Sequence, residues 1–212
     1  GAQTMGANSL TITTNADLAI NAALTGTGTL TIAPQTASTT LGVGTGQTGT
    51  LSLTDAELAN ITDGWTSRII GSTAATGAMN VGAYTWNDNL NLRPGSGLMP
   101  IAGVQTMGAN NLTINTDSSL ALNAALTGTG TLTIATSAAG TTMGVGTGQT
   151  GTLSLTDTEL GQITDGWTSI ILGSTSKTGA TNVGAYTWND ALSIITSSGL
   201  LTINGAQTMG AN

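Results

Sequence analysis

Any chemistry in this chain falls to carboxylates. With no His and no Cys among its 212 residues, Ser–His and Cys–His nucleophilic schemes are unavailable, as are imidazole- or thiolate-held metals. Paired acids remain, and two carboxylates suffice to cleave a glycosidic bond. The candidates are Asp55, Glu57, Asp63 and Asp88, with Asp157, Glu159, Asp165 and Asp190 as their copies. Each has a plainer role. Thr54-Asp55-Ala56-Glu57 has the form of a capping box, in which acids complement the first turn of a helix, and Asp63-Gly64 is turn chemistry. The expectation is therefore no enzyme and no cofactor. Carboxylate and carbonyl oxygens also suit calcium, but the Gly-Gly-x-Gly-x-Asp nonapeptide of calcium-binding β-rolls is missing, and no metal site is expected.

The aromatics form a second set. All six lie at Trp65, Tyr84 and Trp86 and at Trp167, Tyr186 and Trp188. Exposed, they would make a glycan platform or a lateral contact between rods; buried, they would close a core or anchor a neighbouring segment. Tyr84 and Trp86 alternate with Val81 and Ala83. If Val81 and Ala83 point inward, the aromatics point outward or cover a corner.

The elements that position these residues recur. Gly44–Ser67 returns as Gly146–Ser169 with three changes, and Gln3 falls on Gln105 and Gln207, a period of 102 residues. Residues 3–104 and 105–206 are thus two repeats, 207–212 begins a third, and the window looks cut from a longer array, with 1–212 forming one continuous unit. Fixed-period repetition points to an elongated stack in which neighbouring repeats are each other's partners.

Within a repeat, apolar–polar–apolar triplets mark strands. Leu10-Thr11-Ile12, Leu30-Thr31-Ile32, Leu51-Ser52-Leu53, the Ile69-Ile70 pair and Leu90-Asn91-Leu92 follow at about 20-residue spacing, which predicts five coils per repeat. Leu18-Ala19-Ile20, Leu41-Gly42-Val43 and Val81-Gly82-Ala83 fall between them as a second set. One coil cannot bury its aliphatic face alone, but stacked coils join Leu and Ile into a continuous core. The fold predicted is all-β, a parallel β-helix solenoid with a short helical excursion at 55–62 and again at 157–164. Antiparallel sandwiches would need hairpin signals such as Asn-Gly between adjacent strands; the single Asn-Gly, Asn204-Gly205, does not recur along the chain. Gly42, Gly44, Gly46 and Gly82 are expected to shape corners or close contacts.

The net charge of −7 leaves three cations, Arg68, Arg93 and Lys177, too few to neutralise a phosphate backbone or to hold an anionic membrane surface. No apolar run approaches the ~18 residues of a membrane span.

The phrase GTLSLTDAELANITDG, followed by an Ile-Ile-Gly strand and TGAMNVGAY, resembles repeats of large secreted bacterial exoproteins of the filamentous-haemagglutinin type, exported by two-partner secretion. The resemblance implies a right-handed β-helical shaft, an extracellular or cell-surface location, and a role as spacer of an adhesin or as a filament. It also fits the absence of Cys, since such chains cross the export pore unfolded.

Overall fold

Every strand pairing in the computed structural model, which describes residues 1–210, is parallel. Parallel neighbours cannot be joined by a hairpin, so apart from one local fold-back per repeat the chain travels around the molecule before it returns beside itself. It does so by way of three faces, giving an all-β, solenoid-like fold.

The first face is one eight-stranded sheet running through both repeats. Its register places like on like. Leu10, Leu30, Arg68, Leu90, Leu112, Leu132, Ile170 and Leu192 form one column. Two residues on, Ile12, Ile32, Ile70, Leu92, Ile114, Ile134, Leu172 and Ile194 form the next. Both columns point inward, and all but the terminal members are buried. The intervening Thr11, Thr31, Asn91, Thr113 and Thr133 are more exposed. Alternation in the sequence thus becomes inside and outside. Corner side chains add to the ladder: Asn89 Oδ1 accepts from the Asn111 amide and Asn111 Oδ1 from the Thr131 amide, each at 2.8 Å.

This face receives four strands per 102 residues, where five coils were expected. At ~4.8 Å per strand the rise is about 19 Å per repeat instead of about 24 Å. The Leu51-Ser52-Leu53 triplet accounts for the difference. It lies on the second face, parallel to Leu41–Val43, after a fold-back through residues 44–50. That fold-back needs its glycines. A Cβ on Gly42 would lie 2.6 Å from the Thr48 carbonyl carbon, and Gly44 and Gly46 adopt φ of 79° and 71°, a region that L side chains rarely enter.

The second face therefore stacks five segments for every four on the first. Five strands need about 24 Å and four about 19 Å, and the ladder breaks once per repeat. A five-stranded sheet ends at Leu120–Leu122 and a four-stranded sheet begins at Leu153–Leu155. Side chains bridge the break: the Ser119 and Ser154 hydroxyls meet at 2.8 Å. In the first repeat Asp17 Oδ1 accepts from the Ser52 hydroxyl at 2.6 Å and its amide at 3.1 Å. These bonds, led by the hydroxyl, hold the Asp17 carboxyl below its ordinary pKa.

The third face carries short strands at Leu24–Thr25, Tyr84–Thr85, Gln105–Thr106 and Leu126–Thr127, with Ile61 and Ile163 bridging to Leu24 and Leu126. Both helical excursions lead into it. α1 (Asp55–Asn60) and α2 (Asp157–Leu160) each begin with a complete capping box, Thr54 with Glu57 and Thr156 with Glu159. Leu58, Ile61 and Leu160 are buried and Ile163 half-buried beneath them. α2 is shorter because Gly161 stands where α1 has Ala59, a substitution that costs a helix interior about 1 kcal/mol.

The columns predict a sharp contrast between inside and outside. Ile114→Ala should lower the unfolding free energy by about 2–5 kcal/mol, whereas its outward neighbour Thr113→Ala should stay within about 0.5 kcal/mol. Denaturant titration of the two variants measures the difference.

Candidate functional site

Two residues change the phase of the aromatic segment. The strand Met79–Val81 belongs to the second face and Tyr84–Thr85 to the third. Gly82 and Ala83 make the corner between them, so Val81 and Ala83 do not share a face: Val81 is buried and Ala83 exposed. The condition that Val81 and Ala83 both point inward does not hold at this corner, so it does not send the aromatics outward. Trp86 is 1% exposed. Trp65, Trp167 and Trp188 are equally buried, and none of the four indoles offers a face to a glycan or to a neighbouring rod.

Their surroundings explain why they are inside. Trp86 Nε1 donates to Gln105 Oε1 at 2.9 Å, and Gln105, wholly buried, donates in turn to the carbonyls of Gly82 at 2.6 Å and Gly103 at 2.7 Å. A buried amide is tolerated when each of its groups has a partner. The second repeat repeats this relay, with Trp188 Nε1 2.9 Å from Gln207 Oε1 and Gln207 donating to the Gly184 and Gly205 carbonyls. Trp65 lies across Gly26, where a Cβ would come 2.5 Å from the ring; only glycine allows that approach. Trp65 Nε1 has no partner.

Tyr84 and Tyr186 remain half-buried, each edge-on to its tryptophan with ring centroids 4.8 Å apart. Burial raises both phenol pKa values. Each lines a shallow open groove. The first includes Thr45, Asp55, Tyr84, Val104 and Thr106; the second includes Asp157, Tyr186, Ala206 and Thr208. Of the six aromatic candidates, these two tyrosines reach the surface.

The candidate acids divide into two groups. Glu57 Oε2 is held by the Thr54 amide and hydroxyl, each at 2.8 Å, and Asp55 Oδ2 by the Thr45 hydroxyl at 2.7 Å. Glu159 and Asp157 make the same bonds to Thr156 and Thr147. Asp55 and Asp157 fasten the excursions to the fold-back loops, and Glu57 and Glu159 close the helix caps.

Asp88, with Asp63 beside it, instead meets a side chain that sequence patterning missed. Arg68 occupies the inward leucine column between Leu30 and Leu90, buried at 3% exposure. Its Nε donates to Asp88 Oδ2 at 2.7 Å, and Nη2 lies 2.5 Å from the same oxygen and donates to the carbonyls of Ile61 and Thr62 at 3.1 and 3.2 Å. Asp88 Oδ1 accepts from the Gly64 amide at 2.8 Å. Burial nevertheless leaves the Asp88 carboxyl above its ordinary pKa, against the opposing pull of the Gly64 amide and Arg68. The available signal was the divergence of the copies: TDGWTS is followed by Arg68 in one repeat and Ile170 in the other.

Asp190, the copy of Asp88, keeps the amide bond, from Gly166 at 2.9 Å, but has no arginine. Burial raises its pKa first, the Gly166 amide lowers it, and the charge of Asp165 raises it further. No family model, curated protein or solved structure matches this chain.

Opposite effects of one substitution follow. Asp88→Asn strands a buried guanidinium and should cost about 3–5 kcal/mol. Asp190→Asn removes a charge whose raised pKa penalises the folded chain above that value and not below the ordinary aspartate range. In chelator-treated buffer at pH 7 it should be neutral or stabilising, with the gain shrinking as the pH falls toward about 4. Thermal denaturation across that range checks both.

Proposed function

We propose that this chain is the shaft of an extracellular bacterial fibre or giant adhesin, a non-catalytic, right-handed β-helical spacer that supplies reach and stiffness. The observation carrying this reading is the continuity of the two inward columns across the repeat boundary, where Leu90–Gly95 pairs with Leu112–Thr116 as do the strands within a repeat. A unit that pairs with its own copy as well as with itself can be extended without a new interface, and its stability grows by nearest-neighbour terms. The bonding of Asp55, Glu57, Asp157 and Glu159 to caps and loops supports a structural role for those acids. A secreted location rests on the resemblance to filamentous-haemagglutinin-type repeats.

Assembly of copies into a surface filament is the alternative. It is favoured by Leu98 and Leu200, which stand 65% and 71% exposed at the same phase of successive repeats. Carbohydrate binding along the shaft contracts to Tyr84 and Tyr186 and their grooves.

Chains of two, four and six repeats test the spacer. Small-angle scattering should give a maximum dimension growing by about 19 Å per added repeat at constant cross-section. A radius that grows in all directions would refute it. Sedimentation of Leu98→Ser/Leu200→Ser distinguishes the filament, whose self-association that double variant should weaken.

A further inference from the structure

We propose that the second repeat binds a hard divalent cation of calcium chemistry at the place where the first repeat holds the guanidinium of Arg68. The first repeat defines the site by what it does there. Three oxygen donors, Asp88 Oδ2 and the carbonyls of Ile61 and Thr62, converge on one positive charge inside the coil. The second repeat retains each residue of that set as Asp190, Ile163 and Thr164, and retains Asp165 beside them, but replaces the cation by Ile170.

Ile170 is too short to fill the space an arginine needs. A cavity of about 30 Å³ remains, lined by Leu160, Ile163, Asp165, Ile170, Trp188 and Asp190. That volume admits one or two water-sized species and not a guanidinium group. Asp190 lines it while only 4% exposed, and Arg68–Asp88 is the sole salt bridge among the described residues, so no side-chain cation meets the Asp190 carboxylate. A carboxylate buried without a counter-charge is costly.

The donors select the ion. They are all oxygen, which suits calcium and not the softer metals, and the two carboxylates carry the charge that a divalent ion neutralises. Asp165 is exposed, which leaves water access to complete a shell of 6–8 oxygens. With few protein ligands, the affinity belongs in the ~10⁻⁴–10⁻³ M range of extracellular modules.

The test is calorimetric titration of the intact, chelator-stripped chain with calcium chloride at pH 7 in potassium chloride. Terbium luminescence sensitised by Trp188 locates the ion. One ion per chain and a raised melting temperature are expected. Asp190→Asn, nearly isosteric, should abolish both, as should Ile170→Arg, which rebuilds the ion pair of the first repeat. Arg68→Ile should raise the stoichiometry to two. No saturable binding below about 10 mM would overturn the proposal. So would binding unchanged in Asp190→Asn, which places the ion elsewhere, or an equal response to sodium. Should Ile170→Arg fail to fold, Asp190→Asn alone still decides.

Discussion

The parallel ladder sets one spacing that every face must obey. Strands hydrogen-bonded at about 4.8 Å stack at that interval wherever they occur, so a chain that places four strands on one face and five segments on another cannot keep both ladders intact. The first face remains unbroken through eight strands. The second absorbs the mismatch at one break per repeat, between Leu120–Leu122 and Leu153–Leu155, where serine hydroxyls replace the backbone bonds. The fold-back glycines, the Asp17–Ser52 bridge and the helical excursions are all consequences of fitting an extra strand into that stack.

The same geometry governs what can be buried. Columns of Leu and Ile are tolerant because each rung meets a near-identical rung, and exchanging one aliphatic for another changes little volume. Buried polar groups inside the coil are mostly partnered, Trp65 Nε1 being an exception. Gln105 is partnered by an indole and two carbonyls, and Arg68 by a carboxylate and two carbonyls. The continuity of the stack depends on the aliphatic columns. The individual character of each repeat depends on these few polar insertions, and a single exchange, Arg68 for Ile170, gives two otherwise similar coils opposite electrostatics.

Much of this is legible in the residues themselves. Period-two alternation places Leu30, Ile32, Leu90 and Leu92 inside because a pleated strand turns successive side chains to opposite faces. Thr54 and Glu57 mark the start of α1 because capping is local chemistry, complete within four residues. The 102-residue period follows from identity alone. Such features are decided by neighbours in sequence, and the structure agrees with them.

What only the tertiary structure decides is which strand meets which. Leu51-Ser52-Leu53 has the same pattern as Leu30-Thr31-Ile32, and nothing local distinguishes a new rung on the first face from a fold-back onto Leu41–Val43. The inward place of Trp86 depends on a corner at Gly82–Ala83 that resets the alternation, and the pairing of Arg68 with Asp88 spans 20 residues around one coil. The physical reason is common to all three. Alternation fixes a side chain relative to its own strand, while burial and pairing are fixed by the strand stacked above or below, which the local pattern does not specify.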